Sequence, residues 1–351
     1  MSDVVYSARY HVDIGPHVFP TQKYQLVYAR VIETGVIRPS DVVEPEPAGW
    51  DELELVHTSE YLTKIRDGSL SREEIAQLEL PWSGEMVEGF RLMAGGTVEA
   101  ARLACGLRHD DRAPGPRAQS QEVCADSASA ALNVVAHIGG GLHHAFANHG
   151  EGFCPFNDVA VAVRVLQSRG IERAAIVDLD VHHGNGTAFI FESDPRVFTF
   201  SMHQQHNYPM WKPRGSLDIG LPDGAGDGRV LSELSRALPM VMASEPQCVF
   251  YLAGADPYED DQLGGLRMTR DGLRQRDRLV IETVCAAGVP LVITLAGGYA
   301  RRVEDTVEIH AATIEEAKNA TTKTRKHETL DFFVSSWRVF RGAVLTPVLS
   351  A

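Results

Sequence analysis

The segment from Ile176 to Gly186 contains a dense group of side chains capable of acid–base or metal chemistry. An apolar run there leads into Asp178, Asp180 and His182, which are spaced two residues apart. Because successive side chains of a strand alternate between its faces, this spacing predicts that the three groups point the same way. Carboxylate oxygens and imidazole nitrogens are ligands of divalent metals such as zinc. A single polar residue at a strand end could be solvated or cap a helix, but three ionisable groups on one face favour a site.

A third metal ligand is predicted at Asp256, which follows the apolar run Cys248–Leu252. Open α/β sheets bind ligands at the carboxyl ends of their strands, where Asp180, His182 and Asp256 would meet. Three protein ligands leave positions for water and substrate, which is typical of a catalytic rather than a structural zinc site. Taken alone, Asp256 could equally be the N-cap of the following turn.

The adjacent histidines His143 and His144 follow three consecutive glycines at positions 139–141. Neighbouring residues of an irregular loop can both face one cavity, and histidine titrates near neutral pH. The pair therefore suits general base and general acid roles beside a metal site. The glycines form no GxGxxG pattern with an acidic residue downstream, so we do not expect a dinucleotide site.

A phenol is predicted at the same cavity. The apolar run Leu291–Leu295 is followed by Ala296, two glycines and Tyr299. A phenol hydroxyl is a suitable donor to the oxyanion that develops on a polarised carbonyl group. Without the predicted metal ligands, a half-buried tyrosine at a rim would be the better interpretation.

Short β-branched runs alternate along the chain with longer helical patterns, which is typical of a single α/β domain with a parallel sheet and helices on both faces. Several runs are almost continuously apolar, as expected of strands buried on both faces. The predicted strands are Val4–Tyr6, Asn133–Ile138, Ala174–Val181, Val197–Met202, Gln247–Leu252 and Leu291–Leu295. The predicted helices are Thr21–Glu33, Ser59–Arg66, Glu85–Leu103, Asp158–Ser168, Val230–Met242, Arg270–Ala287 and Val303–Ala317. Residues 108–121 are predicted to form a surface loop.

The composition narrows the partners and the compartment. The 351 residues include 33 Lys and Arg against 47 Asp and Glu, a net charge of −14. This charge disfavours nucleic acid and suits a basic peptide, a polyamine or a metal cation. The 5 cysteines form no CxxC pair, which indicates a reducing compartment. Because no signal segment or membrane-length apolar run is found, we expect a soluble, cytoplasmic protein without a membrane partner. The sequence predicts no particular oligomeric state.

Five motifs, in this order along the chain, resemble the histone deacetylase family of the arginase/deacetylase fold. They are Gly139–Ala145, Gly152–Asp158, Asp178–Gly184, Gly254–Asp256 and Gly297–Tyr299. The resemblance extends over residues 4–317, so it implies a deacetylase-like catalytic domain at 1–317 and a tail of uncertain role at 318–351. It also implies an eight-stranded parallel sheet. The implied activity is zinc-dependent hydrolysis, by metal-bound water, of an acetyl or longer acyl amide on lysine side chains of a peptide or protein, or on a related primary amine.

The resemblance assigns roles to the chemical groups. Zinc, or ferrous iron in the cell, would bind Asp180, His182 and Asp256. His144 would be the general base that passes a proton to the leaving amine. His143, oriented by Asp178, would stay mostly cationic, and Tyr299 would donate to the substrate carbonyl. A structural potassium ion would bind Asp178 and Ser201.

The resemblance also implies a tunnel for the acyl-lysine side chain. Its walls would include Gly152, Phe153, Tyr208 and Leu263. Position 263 is Leu where the polyamine-deacetylating branch has a gatekeeping Glu, which counts against a polyamine specialist. Asn185 stands where some members have Asp, so the partner of His144 would be neutral and the base less basic. His17–Pro20 and Leu217–Gly220 resemble the class IV and bacterial branch, where longer acyl chains are accepted.

Three alternatives compete with this interpretation. The substrate could be an acetylpolyamine or another small acylated amine. A ureohydrolase with a binuclear manganese centre would need an Asp-Ala-His-x-Asp pattern, which the residues after His182 do not supply. A non-catalytic metal-binding relative would be favoured by loss of Tyr299 or of a histidine, but these residues are present.

Overall fold

One sheet of eight parallel strands forms the centre of the computed structural model, which describes residues 4–107 and 134–320. In chain order the strands are β1 (Val4–Val5), β2 (Val42–Val43), β3 (Val134–His137), β4 (Ala174–Asp178), β5 (Val197–Gln204), β6 (Leu217–Leu221), β7 (Cys248–Leu252) and β8 (Leu291–Thr294). Their spatial order is β2–β1–β3–β8–β7–β4–β5–β6, and each neighbouring pair is parallel. The predicted single-domain α/β fold with an eight-stranded parallel sheet is confirmed.

Helices connect the strands and cover the sheet. In chain order the described helices are α1 (Lys23–Glu33), α2 (Trp50–Leu53), α3 (Ser59–Asp67), α4 (Arg72–Leu78), α5 (Gly84–Ala104), α6 (Asp158–Gln167), α7 (Asn185–Phe191), α8 (Asp227–Met242), α9 (Arg270–Ala286) and α10 (residues 303–320). Five of them begin at a residue whose side chain accepts a hydrogen bond from a backbone N–H of the first turn. These capping residues are Thr58, Ser71, Ser83, Asn157 and Thr269.

The central strands are buried along their whole length. Every residue of β3, β4, β7 and β8 lies in the interior. Since consecutive strand residues face opposite sides, both faces of the sheet are covered, as the continuous apolar runs predicted. Helix α5 packs against β3 and β8, while α9 packs against β8 and α8 against β5.

The predicted strands and helices are all present, with ends that differ by a few residues. Five elements were missed: β2, β6, α2, α4 and α7. Each is too short for its hydrophobic period to stand out, and β6 alternates between partly buried and exposed positions. The predicted loop at 108–121 and the tail beyond residue 320 lie outside the described residues. Within the described residues, no helix combines the length and apolar character needed to cross a membrane.

The four central strands end level with one another. His137 of β3 pairs with Thr294 of β8. Leu252 of β7 pairs with both Thr294 and Asp178, the last residue of β4. The loops that leave these four adjacent strands therefore start from one row across the sheet, and they contain the chemical groups that the sequence singled out.

Candidate active site

A buried group of three side chains lies where the loops after β4 and β7 meet. Asp180, His182 and Asp256 place one ligand atom each within 4.8 Å of one another. His182 Nδ1 lies 3.0 Å from Asp180 Oδ1 and 3.4 Å from Asp256 Oδ2. One imidazole nitrogen and two carboxylate oxygens thus face a common point, as a divalent metal requires.

The surroundings of this group fit a metal ion. Asp256 Oδ2 is buried and, among the residues the structure describes, receives no hydrogen bond; His182 Nδ1 approaches it only to 3.4 Å. Burial and the nearby charge of Asp180 raise the pKa of the Asp256 carboxyl, so two adjacent carboxylates need a cation to stay ionised together. A Cβ atom at Gly297 would overlap Asp256 Oδ2 and lie 2.5 Å from Asp180 Oδ2. The space is therefore shaped by the absence of a side chain at position 297.

The structure brings Asp180 and His182 together, but not through the strand alternation that the sequence pattern predicted. Strand β4 ends at Asp178, so strand alternation does not orient Asp180 and His182. Instead, Asp178 Oδ1 accepts the backbone N–H of Asp180 at 3.2 Å, and Asp180 Oδ1 accepts that of His182 at 2.9 Å. Each aspartate fixes the residue two positions later, which is how short acidic side chains commonly order a loop.

A buried arginine, Arg276, joins the loops that follow β4 and β7. Arg276 Nη1 donates to the carbonyl oxygens of Leu179, at 3.3 Å, and Gly254, at 2.6 Å. Its charge is balanced by the neighbouring buried carboxylate of Asp277, 2.7 Å from Nη2. Because Leu179 and Gly254 lie one and two residues from Asp180 and Asp256, Arg276 joins the two segments that carry these aspartates.

The two adjacent histidines have different partners at Nδ1. His143 Nδ1 lies 2.7 Å from Asp178 Oδ2, while His144 Nδ1 lies 2.7 Å from Asn185 Oδ1. Although burial opposes it, the charges of Asp178 and Asp180 raise the pKa of His143 to about 9. Burial and the neighbouring imidazoles lower the pKa of His144 well below its ordinary value. At neutral pH the pair is therefore one cation and one neutral base.

The loop that presents the histidines is held by the start of α6. Asp158 accepts the backbone N–H groups of Gly141 at 2.9 Å and Leu142 at 2.7 Å. Gly140 and Gly141 have φ angles of 70° and 82°, which strongly favour glycine. The turn thus favours glycine at positions 140 and 141, and Gly141 also approaches Ala296 closely, where a Cβ would lie 2.6 Å from Ala296 Cα.

A cavity of about 190 Å³ leads from the surface to these groups. It is lined by the four residues predicted to form a tunnel, Gly152, Phe153, Tyr208 and Leu263, and by His143, His144, Asp180, His182, Gly297 and Tyr299. The ring of Tyr208 meets that of His144 edge to face, with centroids 5.0 Å apart. A Cβ at Gly152 would lie 2.8 Å from the ring of His144, so a side chain there would displace this imidazole.

Tyr299 is buried beside the cavity, 6.1 Å from the ring of Phe153. Its backbone N–H donates to Asp261 Oδ2 at 2.7 Å, which fixes the end of the loop after β8. Burial, with the charges of Asp180 and Asp256, raises the pKa of the phenol well above its ordinary value. Tyr299 therefore remains a hydrogen-bond donor throughout the neutral range.

Asp178 and Ser201, the predicted potassium ligands, are paired residues of β4 and β5. Both are buried, and Ser201 Oγ lies 3.0 Å from His203 Nδ1. The structure brings the two side chains to neighbouring positions on the sheet.

Three ionisable residues near the cavity were not singled out by the sequence. Lys23 of α1 is fully buried and donates to the carbonyl oxygen of Ala296 at 2.8 Å. Burial lowers its pKa to about 8, although Asp256 and Asp180 oppose this shift. Glu79 lines the cavity with a left-handed φ of 59°, and Glu151 bonds to Asn185. Only Glu151 had a local signal, since it immediately precedes the Gly152-Phe153 motif.

The fold and the site define a class: an α/β protein with a candidate metal centre and paired histidines at the ends of its central strands. The sequence model described as Histone deacetylase domain matches residues 17–314, and the chain belongs to the histone deacetylase family. It is accordingly an enzyme, a deacetylase of the hydrolase class.

Similar proteins agree with this assignment. The chain is 40% identical over 311 residues to an uncharacterized protein of Picosynechococcus sp., covering 88% of this chain and 95% of the other. It is 28% identical over 324 residues to Histone deacetylase 2 of Arabidopsis thaliana, covering 87% of this chain and 77% of the other. The crystal structure of the HDA15 HD domain superposes with a TM-score of 0.69 at 23% identity, covering 92% of this chain and 91% of that one, and supports the fold.

Proposed function

We propose that the protein is a zinc-dependent deacylase that removes an acetyl or longer acyl group from lysine side chains of a peptide or protein. The observation that carries the proposal is the convergence of Asp180, His182 and Asp256 with His143, His144 and Tyr299 around one narrow cavity. The first three would hold the metal, and the others would handle protons and charge. Fe²⁺ would suit the same nitrogen and oxygen ligands and is the alternative ion in the cell.

When bound, the ion supplies Lewis-acid chemistry, because it polarises an amide carbonyl and acidifies a water molecule. His144 is the group suited to take the proton of that water, since its low pKa keeps it neutral. As the carbonyl carbon gains the water oxygen and the C–N bond breaks, His144 would return that proton to the amide nitrogen. The products are a carboxylic acid and a free amine.

The other two groups stabilise charge. His143 keeps a positive charge near the reacting atoms, because Asp178 compensates for its burial. Tyr299 donates its phenol proton in a hydrogen bond to the carbonyl oxygen as negative charge develops there. Each group contributes most in the transition state, where the charge is largest.

The cavity walls favour an alkyl chain. Phe153, Tyr208 and Leu263 give an apolar lining suited to the methylene groups of an acylated lysine. Leu263 offers no carboxylate for the second ammonium group of a polyamine. The net charge of −14 favours encounter with a basic peptide.

A small acylated amine such as an acetylpolyamine is the second candidate substrate. It is favoured by Glu79, which lines the cavity and could hold an ammonium group there. The two candidates differ in whether affinity comes from the peptide around the lysine or from charge inside the cavity.

Other expectations complete the proposal. Asp178 and Ser201 would contribute to a structural potassium site at the paired ends of β4 and β5. The catalytic domain would comprise residues 1–317, with a separate tail at 318–351. Action in the cytoplasm, without nucleic acid or membrane partners, stays a prediction, and the oligomeric state is open.

The test is hydrolysis of acetyl-lysine and longer acyl-lysine peptides beside acetylated polyamines, by the wild type and Tyr299→Phe. Each protein is assayed after chelation and again after zinc or Fe²⁺ is restored. We expect metal-restored turnover that falls by about 10²-fold or more in the Phe variant, as for the loss of one oxyanion donor. Failure of the metal-loaded wild type to cleave any of these amides would contradict the proposal.

A further inference from the structure

The carboxylate of Glu151 has no role in the chemistry described above, yet a single residue, Asn185, connects it to the proposed base His144. Asn185 Nδ2 donates to Glu151 Oε1 at 2.6 Å, and Asn185 Oδ1 lies 2.7 Å from His144 Nδ1. The side chain of Glu151 is only 14% exposed. His144, Asn185 and Glu151 therefore form a continuous hydrogen-bonded chain that ends in a carboxylate.

The charge of Glu151 determines how the side-chain amide of Asn185 is oriented. The two ends of an asparagine amide have nearly the same shape, but one donates hydrogen bonds and the other accepts them. An ionised carboxylate only accepts, so Glu151 requires Asn185 to present Nδ2 toward it. Asn185 Oδ1 must then face His144, which requires a proton on His144 Nδ1 and leaves Nε2 free to act as the base.

Glu151 is itself held in place. Gln77 Nε2 donates to Glu151 Oε2 at 3.1 Å, and His149 Nε2 lies 3.4 Å from the same oxygen. The backbone N–H of the next residue, Gly152, donates to the Gln77 carbonyl at 3.3 Å, which ties the loop to α4. Although burial opposes ionisation, hydrogen bonds from His149, Asn185, Gln77 and the cavity-wall residue Tyr208 lower the pKa of Glu151. A charged acceptor in a fixed position gives a stronger bond than a neutral one.

We propose that Glu151 is a positioning residue that acts through Asn185 to fix the tautomer and orientation of His144. The proposal rests on the proposed function of His144 as the base. Glu151 places a negative charge one amide further from His144 than a carboxylate at position 185 would. It stabilises the imidazolium that forms on His144 without contacting the ring, the substrate or the metal ligands.

The first experiment compares Glu151→Gln with the wild type on an acetyl-lysine peptide. The substitution keeps the size of the side chain but lets it donate as well as accept, so Asn185 can turn over. We expect kcat to fall by about tenfold and KM to stay unchanged. A tenfold loss is the lower end of the range for residues that orient a functional side chain without contacting the reacting atoms. Glu192→Gln is the matched control, because it removes one exposed carboxylate at the C-cap of α7, the helix that begins with Asn185. It should behave as the wild type.

The second experiment separates positioning from a general structural role. In Asn185→Asp the new carboxylate at position 185 contacts His144 directly. Glu151 is then unnecessary, and its charge repels the new carboxylate. Glu151→Gln in this background should leave kcat unchanged or raise it. An equal loss in both backgrounds, or wild-type kcat in the Glu151→Gln single variant, would overturn the proposal.

A third readout does not depend on turnover. The ¹⁵N chemical shifts of the His144 ring, assigned by comparison with His144→Ala, report which nitrogen carries the proton. We expect a proton on Nδ1 in the wild type and a mixture of tautomers in Glu151→Gln. The same tautomer in both proteins would refute the role of Glu151. If Glu151→Gln changes the tautomer but the wild type cleaves no amide, the proposed function fails while the effect of Glu151 on the His144 tautomer stands.

Discussion

The substitution Gly297→Ala tests whether the space between Asp180 and Asp256 is a metal site. The added Cβ would overlap Asp256 Oδ2 and lie 2.5 Å from Asp180 Oδ2. Ordinary contact of this kind begins near 3.4 Å, so both carboxylates must move by about 1 Å or more. The backbone N–H of Gly297 also donates to Asp180 Oδ2 at 2.8 Å, so the loop cannot withdraw without losing that bond.

Metal ligands tolerate much smaller errors in position. In metal sites, the distance from the ion to each ligand atom falls within about 0.2 Å of its preferred value. A shift of about 1 Å therefore moves at least one carboxylate too far from the ion to bind it. We expect the affinity for zinc to fall by about 10²-fold or more, which exceeds the usual effect of altering a residue behind a ligand. The strain should also lower the free energy of unfolding of the metal-free protein by about 1–3 kcal/mol.

The assay measures zinc affinity by competition with a chromogenic chelator, together with the melting temperature with and without zinc. Gly228→Ala is the matched control, because a Cβ at that position of α8 meets nothing within 4 Å. It should bind zinc as the wild type does and melt at the same temperature or slightly higher. Wild-type zinc affinity in Gly297→Ala would refute the assignment of this space to the metal. Absence of zinc binding in the wild type would refute the zinc proposal itself.

Three further predictions concern other residues in or near the cavity. Although burial opposes it, Asp178 together with Asp180 raises the pKa of His143 to about 9, so the Asp178–His143 pair stabilises the fold below pH 6.5 and this contribution is lost as the pH rises through 9. The difference in melting temperature between metal-free wild type and Asp178→Asn should shrink over that range, and a constant difference would contradict the coupling. Leu263→Glu adds a carboxylate to the cavity wall and should raise kcat/KM for an acetylated polyamine relative to an acetyl-lysine peptide by about tenfold; an unchanged ratio would place the ammonium group elsewhere. Arg276→Met leaves the buried Asp277 without its counter-ion and should lower the free energy of unfolding by about 3–5 kcal/mol in denaturant titrations, whereas a loss below about 1 kcal/mol would show that the ion pair is not holding the loops.

The fold and the grouping of Asp180, His182 and Asp256 were predictable because both depend on local patterns and one topological rule. Continuous apolar runs identified β4 and β7, and the rule that parallel strands bind ligands at their carboxyl ends placed Asp180 and Asp256 together. The details of how β4 ends were not predictable. A strand that stops at Asp178 and one that continues to Val181 have the same apolar pattern, and the difference lies in side-chain-to-backbone bonds that replace the ladder.

Residues that act over long sequence separations could not be found in this way. Lys23 and Ala296 lie 273 positions apart, and Lys23 occupies a helix whose pattern predicts no buried cation. Its burial is decided by packing beneath the cavity and by the nearby carboxylates rather than by its own segment. The bond from Asn185 to Glu151 likewise joins the start of α7 to a distant loop, and only the folded chain shows that the neutral Asn185 side chain contacts a carboxylate.

The two adjacent histidines show why that placement of charge matters. His143 and His144 share a loop and are both buried, yet their pKa values move in opposite directions. The charges of Asp178 and Asp180 outweigh burial at His143, whereas burial and the neighbouring imidazoles lower the pKa of His144, whose partner Asn185 carries no charge. A carboxylate in direct contact with each ring would raise the pKa of both and reduce the fraction of His144 that is neutral. A carboxylate at Glu151, separated from His144 by Asn185, orients the ring while raising its basicity less than direct contact would. Under the proposed mechanism, the acid–base division between two neighbouring imidazoles is therefore set by how far each one lies from its nearest negative charge.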